Sequence, residues 1–190
     1  MPDAIVLLKN DHKTVEKLFK QFEKLGDSAH ASKRKVVHEI ITELSIHAAI
    51  EEQHFYPTVR AQAPDIADNV LEGLEEHHIV KWTLSELEGM SPEEERFDAK
   101  VTVLIESVRH HVEEEEGEMF PQVRAAIGRK ELRELGDTME KAKAISPKRP
   151  HPKAPDTPEG GNLLAGPAAA ALDGVKAGVK AGARKATRRS

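Results

Sequence analysis

Apolar residues recur at alternating three- and four-residue steps through the first 145 positions, the period of helices that bury one face. The pattern predicts a first helix from Asp3, its N-cap, to Gly26, with Val6, Leu8, Val15, Leu18, Phe19, Phe22 and Leu25 along one stripe. A second runs from about residue 32 to 62, with Val37, Ile40, Ile41 and Leu44 inward. A third begins near Pro64 and carries Ile66, Val70, Leu74, Val80, Leu84 and Leu87. Ser91, Pro92 and Glu94 read as a capping box that starts a fourth, followed by Phe97, Val101, Leu104 and Val108. A short fifth segment, about 129–144, presents Leu132, Leu135 and Met139. Strand signals are weak, and the connections are short. The expected fold is all-α, an antiparallel four-helix bundle with a short fifth helix.

The stripes do not stay apolar through their centres. The step from Leu8 to Val15 passes through His12, and Leu44 leads to His47, Glu51 and His54. Leu74 leads to His77, and Val108 leads to His111, Glu115 and Glu118. Every helix thus aims a histidine at the bundle axis, and helices two and four each add a carboxylate one turn on. A four-residue step turns roughly 40° past a full circle, so His47 shares a face with Glu51, and His111 with Glu115. Unpartnered polar groups in a core cost ~1–3 kcal/mol or more each. A cation held by all six compensates them directly. A metal-free bundle with satisfied core histidines would account for one such residue more readily than for four.

The two halves repeat. DHKTVEKLFKQFEKL aligns with EHHIVKWTLSELEGM, placing His12 on His77. HAAIEEQHFYPTVR aligns with HVEEEEGEMFPQVR, placing His47 on His111, Glu51 on Glu115, Pro57 on Pro121 and Arg60 on Arg124. Two hairpins related by a pseudo-twofold axis would bring together two sets of two His and one Glu. That symmetry suits a pair of ions better than one.

The pattern His12, His47-x-x-x-Glu51, His77, His111-x-x-x-Glu115, with the trailing FYP and MFP, resembles the hemerythrin-like family of HHE cation-binding domains over roughly residues 3–127. The resemblance implies a four-helix bundle with a non-haem di-iron centre, the two iron ions oxo- or hydroxo-bridged, and small ligands such as O2 or H2O2. Imidazole and carboxylate also suit manganese or zinc, so the donors alone do not fix the metal. Where oxygen-carrying hemerythrins place a fifth histidine, this sequence has Lys81. The more open centre that results favours peroxide or oxygen redox chemistry, catalase-like disproportionation among it, over oxygen storage. Sensing of iron or oxygen without turnover is the alternative reading. A ferritin-like site would use Glu-x-x-His pairs, which occur at Glu51–His54 and Glu75–His78, but these are not repeat-equivalent and leave His12, His47 and His111 unexplained.

Three neighbours are candidates for a further ligand or for hydrogen bonds to the ligands. Tyr56 precedes Pro57, whose missing N–H can bend the helix and turn the phenol inward. His54 and Glu118 sit seven residues past His47 and His111 and are expected to face each other one layer on. His78 and His110 read as flanking residues, and the run Glu113–Glu116 reads as a solvated face except for Glu115.

Composition divides the chain. Residues 146–190 hold nine Lys+Arg and three Asp+Glu, a net of +6, leaving 19 and 30, a net of −11, for residues 1–145. The boundary opens on the Pro-rich stretch SPKRPHPKAPDTPEGG. The expectation is a bundle domain at 1–145 and a flexible basic tail at 146–190, suited to weak, salt-sensitive contact with nucleic acid or another anionic surface. The chain has no cysteine, which excludes disulfides and thiolate ligands and fits a reducing cytoplasm. The stretch MPDAIVLLKNDHK has no basic n-region and no small-residue cleavage site, so no export signal is expected, and the apolar runs fall short of the ~20 residues a membrane span needs.

Overall fold

The computed structural model describes residues 2–153. Seven α-helices occupy them: α1 (Ala4–Phe22), α2 (His30–Ile50), α3 (Tyr56–Gln62), α4 (Ala67–Gly89), α5 (Phe97–Glu114), α6 (Phe120–Ala126) and α7 (Arg129–Lys143). No strand occurs among the described residues. A π-helical turn, Glu51–Phe55, fuses α2 to α3, and a second, Glu115–Met119, fuses α5 to α6. The four rods of the bundle are therefore α1, α2–α3, α4 and α5–α6, and α7 is the expected fifth helix.

The π turns lie at repeat-equivalent places, each just before a proline. Pro57 and Pro121 donate no N–H, and their rings crowd the carbonyls four residues back, which opens the helix locally. The Tyr56 N–H then reaches the Glu51 carbonyl and the Phe120 N–H reaches that of Glu115, five residues back in both cases. Each inserted residue rotates the following side chains by about 100°. Phe55, Tyr56, Met119 and Phe120 consequently face the core.

Asp3 caps α1 as the sequence indicates, accepting from the Val6 N–H at 2.9 Å. Val6 itself lies outside the buried stripe and is 39% exposed, whereas Ile5, Leu7 and Leu8 are buried. Helix α1 ends at Phe22, before Gly26. The fourth rod also differs from expectation. The capping-box bonds form, with the Ser91 N–H donating to the Glu94 carboxylate (2.6 Å), but they close a turn, and α5 starts only at Phe97. The Pro92 carbonyl, which a continuous helix would offer to Arg96, instead accepts from His30 Nδ1 at the start of α2 (3.3 Å).

Two apolar cores result, stacked along the bundle. One gathers Ile5, Leu8, Phe55, Tyr56, Val70, Leu74, Phe120 and Val123, and α7 adds Leu132 and Met139. The other gathers Val15, Phe19, Val37, Ile40, Leu44, Val80, Leu84, Val101, Leu104 and Val108. The inward histidines and glutamates form the layer between them. Helix α7 crosses the start of α1 so closely that a Cβ on Gly136 would lie 2.6 Å from the Pro2 carbonyl oxygen. Past α7, Ser146, Pro147 and Pro150 remain buried, and Arg149 pairs with Glu88 at the end of α4. The packed chain thus continues beyond residue 145. The rest of the basic tail lies outside the described residues.

Candidate metal centre

His12 from α1, His47 from α2, His77 from α4 and His111 from α5 are 4–6% exposed, and Glu51 and Glu115, at the first residue of each π turn, are 0% and 2% exposed. All four imidazoles turn Nε2 inward. Glu51 Oε2 lies 3.0 Å from His47 Nε2 and 3.3 Å from His77 Nε2. Glu115 Oε2 lies 3.3 Å from His12 Nε2 and 3.6 Å from His111 Nε2. Each glutamate therefore spans two helices, as a bridging carboxylate would. The π turns matter here: each starts at its glutamate, so His47 and Glu51 keep ordinary helical spacing, as do His111 and Glu115, and the break comes only afterwards.

Much of the proximity in this layer is not hydrogen bonding. Both oxygens of Glu51, Glu115 Oε2 and His12 Nε2 are buried without a hydrogen-bond partner. His77 Nε2 and His111 Nε2 face each other at 3.3 Å while their Nδ1 atoms donate to carboxylates, so a proton or a cation must lie between them. Such an arrangement is costly unless a positive charge lies between the donors. Two overlapping groups have all their donor atoms within 4.8 Å of one another: His47, Glu51, His77 and His111, and His12, His47, Glu51 and Glu115. Nitrogen and carboxylate donors at this spacing can hold a cation in each group.

A second ring of carboxylates surrounds the first. His12 Nδ1 donates to Glu116 (2.9 Å), His77 Nδ1 to Glu52 (3.2 Å) and His111 Nδ1 to Glu76 (2.6 Å), and His47 Nδ1 lies 3.9 Å from Asp11. Such partners fix the imidazole tautomer and raise its basicity toward a metal. Lys81 is buried and pairs with Glu52 at 2.8 Å, so it neutralises the carboxylate that holds His77.

Charge is organised accordingly in the metal-free protein. Burial would depress His47, but the charge of Glu51 and the closeness of the Asp11 and Glu51 carboxylates prevail and raise its pKa to about 10. Burial likewise opposes, and Glu51 and Glu52 overcome, in raising His77 to about 9. Glu51, despite complete burial, is held well below the usual carboxylate range by His47 and His77.

Tyr56 is fully buried, and its hydroxyl donates to Glu115 Oε1 at 3.1 Å. Burial, then the nearby charges of Glu115 and Glu51, raises its pKa well above the ordinary value. The phenol fits because Gly73 on α4 leaves room: a Cβ there would sit 2.9 Å from the Tyr56 hydroxyl and 3.5 Å from His111 Cε1. The repeat counterparts are Phe120 and Leu8, so one half pairs a phenol with glycine and the other a phenyl ring with leucine. Gly73→Ala is expected to destabilise the protein by about 1–3 kcal/mol through overpacking. Tyr56→Phe, which removes the obstructing oxygen, should recover much of that loss in the double variant, measured by urea unfolding.

The remaining sequence candidates lie elsewhere. His54 is half-buried and Glu118 exposed, and neither belongs to a group of converging donors among the described residues. The rotation imposed by the π turns gives the inward places to Tyr56 and Met119. His78 accepts from Trp82 Nε1 at 3.0 Å on the outer face of α4, and the His110 side chain is 65% exposed. Glu116, read as solvated, holds His12. The outer ring of Asp11, Glu52, Glu76 and Glu116 was not singled out from sequence, though a signal existed: every inner His or Glu that starts or ends a motif has an acidic neighbour, Asp11–His12 matching Glu76–His77 and Glu51–Glu52 matching Glu115–Glu116.

Comparison with known proteins identifies the family and agrees with the helical fold. The profile of the hemerythrin HHE cation binding domain matches residues 3–123. An uncharacterized hemerythrin-like protein of Schizosaccharomyces pombe is 25% identical over 149 residues, covering 78% of this chain and 72% of its own. A protein of a Nostoc species named as a DNA nickase is 25% identical over 138 residues, covering 73% of this chain but 38% of its own. The crystal structure of a hemerythrin HHE cation-binding-domain-containing protein from Mycobacterium kansasii superposes with a TM-score of 0.65 at 25% identity, covering 76% of this chain and 86% of that one.

Proposed function

Because the chain belongs to the hemerythrin HHE cation-binding domain family, we propose that its centre holds two iron ions and that the protein acts on hydrogen peroxide or dioxygen there. The observation that carries this reading is the convergence of inward donors in two overlapping groups built from His12, His47, Glu51, His77, His111 and Glu115, with the Glu51 oxygens, Glu115 Oε2 and His12 Nε2 lacking a hydrogen-bond partner. An iron pair supplies reversible electron exchange and positions for a small oxygen ligand.

The chain's own residues then divide the work. The four histidines and two glutamates bind, and Asp11, Glu52, Glu76 and Glu116 orient the imidazoles. A cavity of about 20 Å³ touches all four histidines and is closed by Val15, Leu44, Ala48, Val80, Val108 and Val112. That is room for one ligand the size of water, in walls that offer it no hydrogen bond. Tyr56, which lies outside that cavity, donates its proton to Glu115, and its raised pKa keeps the proton there, so the phenol acts on the centre through Glu115.

Loading with iron should give close to two ions per chain and an absorption spectrum that changes on adding peroxide. Oxygen evolution from peroxide should exceed that of an equal amount of free iron, and Tyr56→Phe should lower it tenfold or more. Turnover no faster than free iron would leave the alternative, an oxygen or iron sensor. Zinc alone, or no metal, would end the reading.

The relative named as a DNA nickase favours a second reading, in which the basic segment 146–190 contacts nucleic acid. Its cations Lys176, Lys180, Arg184, Lys185, Arg188 and Arg189 lie outside the described residues. Removal of 154–190 should abolish DNA retention at low salt; unchanged retention would exclude it. The cysteine-free composition fits our placement of the protein in the cytoplasm, and no helix among the described residues is long and apolar enough to cross a membrane.

A further inference from the structure

The outer carboxylate ring breaks the twofold repeat at one place. Asp11, Glu52 and Glu116 each meet a lysine: Lys143 at 2.5 Å, Lys81 at 2.8 Å and Lys9 at 3.2 Å. Glu76 meets imidazoles. Its Oε2 accepts from His111 Nδ1, and its donor atom lies with those of His110 and Glu114 in a group within 4.8 Å of one another. His110 and Glu114 stand one turn apart on α5 (3.3 Å), while Glu76 comes from α4, so the three converge from two helices. Their side chains are 65%, 38% and 24% exposed respectively, open to solvent on one side and joined to His111 on the other.

The equivalent place in the first half shows what is different. Asp11 corresponds to Glu76, and Ile46 and Ile50 correspond to His110 and Glu114. Helix α7 packs on α1, α2 and the first π turn, and brings Lys143 to Asp11. On the α4–α5 side, His110 and Glu114 stand where the first half has apolar residues. Glu72, Glu75 and Glu113 around them are exposed, and the nearby Arg109 is committed to Glu16 and Glu23. The local field therefore favours a cation.

We propose that Glu76, His110 and Glu114 form a surface site for a divalent first-row transition cation, separate from the buried centre. The cation takes the place that lysine holds on the other three arms. One imidazole with two carboxylates suits Zn²⁺, Mn²⁺ or Fe²⁺ and disfavours Mg²⁺ and Ca²⁺, which prefer oxygen throughout. Bonds of about 2.0–2.2 Å put opposite ligands about 4 Å apart, so small side-chain adjustments close the site. Glu76 also holds His111, so occupancy draws its carboxylate toward the surface; this consequence rests on the proposed metal centre, whereas the site itself does not.

The test is calorimetric titration of the full, iron-loaded chain with Zn²⁺. Wild type should bind one further equivalent. His110→Ala and Glu114→Gln should each weaken it at least tenfold, and Glu72→Gln, which removes a neighbouring charge and no ligand, should weaken it far less than either. Equal binding by wild type and His110→Ala, or no further equivalent in wild type, overturns the proposal. The His12→Ala, His77→Ala double variant, with its buried centre disabled, should keep the His110-dependent equivalent; loss there would overturn the separateness of the site. The outcome is readable whether or not iron occupies the centre.

Discussion

Glu51→Ala is expected to cut metal occupancy from about two ions per chain to less than one, with the helical content retained. Glu51 belongs to both groups of converging donors, and none of its surface is exposed. Its removal leaves His47 and His77 facing a void with no negative charge between them. Breaking a buried charge pair in this way costs about 3–5 kcal/mol, so the metal-free variant should also unfold at markedly lower urea concentration. A graded series separates ligation from mere proximity. Asp11→Asn and Glu76→Gln, which disturb the outer ring, should weaken metal binding by about 10–100-fold. Glu118→Ala, at an exposed position, should do nothing. Metal analysis after dialysis reads the whole series, and two tightly held ions in Glu51→Ala would refute the proposed ligand set.

The response to pH should reverse sign with metal content. In the metal-free protein His47 and His77 have pKa values raised from 6.5 to about 10 and about 9. A raised pKa contributes stability that is complete below 6.5 and is lost as pH climbs through the folded value. Glu51 is lowered from 4.5, so its contribution is complete above 4.5 and is lost as pH falls through its depressed pKa. The metal-free protein should be most stable between about pH 4.5 and 6.5 and should soften steadily toward pH 10. A metal needs these imidazoles deprotonated. Loading at pH 7 should release about two protons, and apparent affinity should rise by up to ~100-fold per pH unit below pH 9. Calorimetry in buffers of different ionisation enthalpy counts the protons. A proton count near zero would mean that the two histidines are neutral before the metal arrives.

Much of the centre was legible because a helix is a ruler. His47 and Glu51, or His111 and Glu115, share a face at any four-residue spacing, and the 64- and 65-residue repeat shows that two such faces exist. Two kinds of feature escaped. The first depended on a local break in the ruler: extrapolating a regular helix past Glu51 and Glu115 assigns the next inward places to His54 and Glu118. The prolines open π turns there and give the places to Met119 and to Tyr56, the one inward turn that Pro57 already indicated. The second depended on partners from other helices. Asp11, Glu52, Glu76 and Glu116 stand out in one dimension only as repeated acidic neighbours of the inner residues, and packing shows which histidine each one faces.

The capping box at Ser91 shows the same limit. Its hydrogen bonds are local and form as the sequence indicates, but they close a turn, and the Pro92 carbonyl pairs with His30, some sixty residues away, and not within a helix.

By itself, then, the sequence determined the class of the fold and the six inward donors, because helical period, repeat spacing and the cost of burying unpaired charge are properties of the chain alone. The tertiary structure decided which carboxylate holds which imidazole, that Gly73 makes room for the Tyr56 hydroxyl, and that α7 covers one half of the repeat and leaves His110 and Glu114 open on the other. Those outcomes are set by contacts between helices distant in sequence, and no spacing along one helix encodes them.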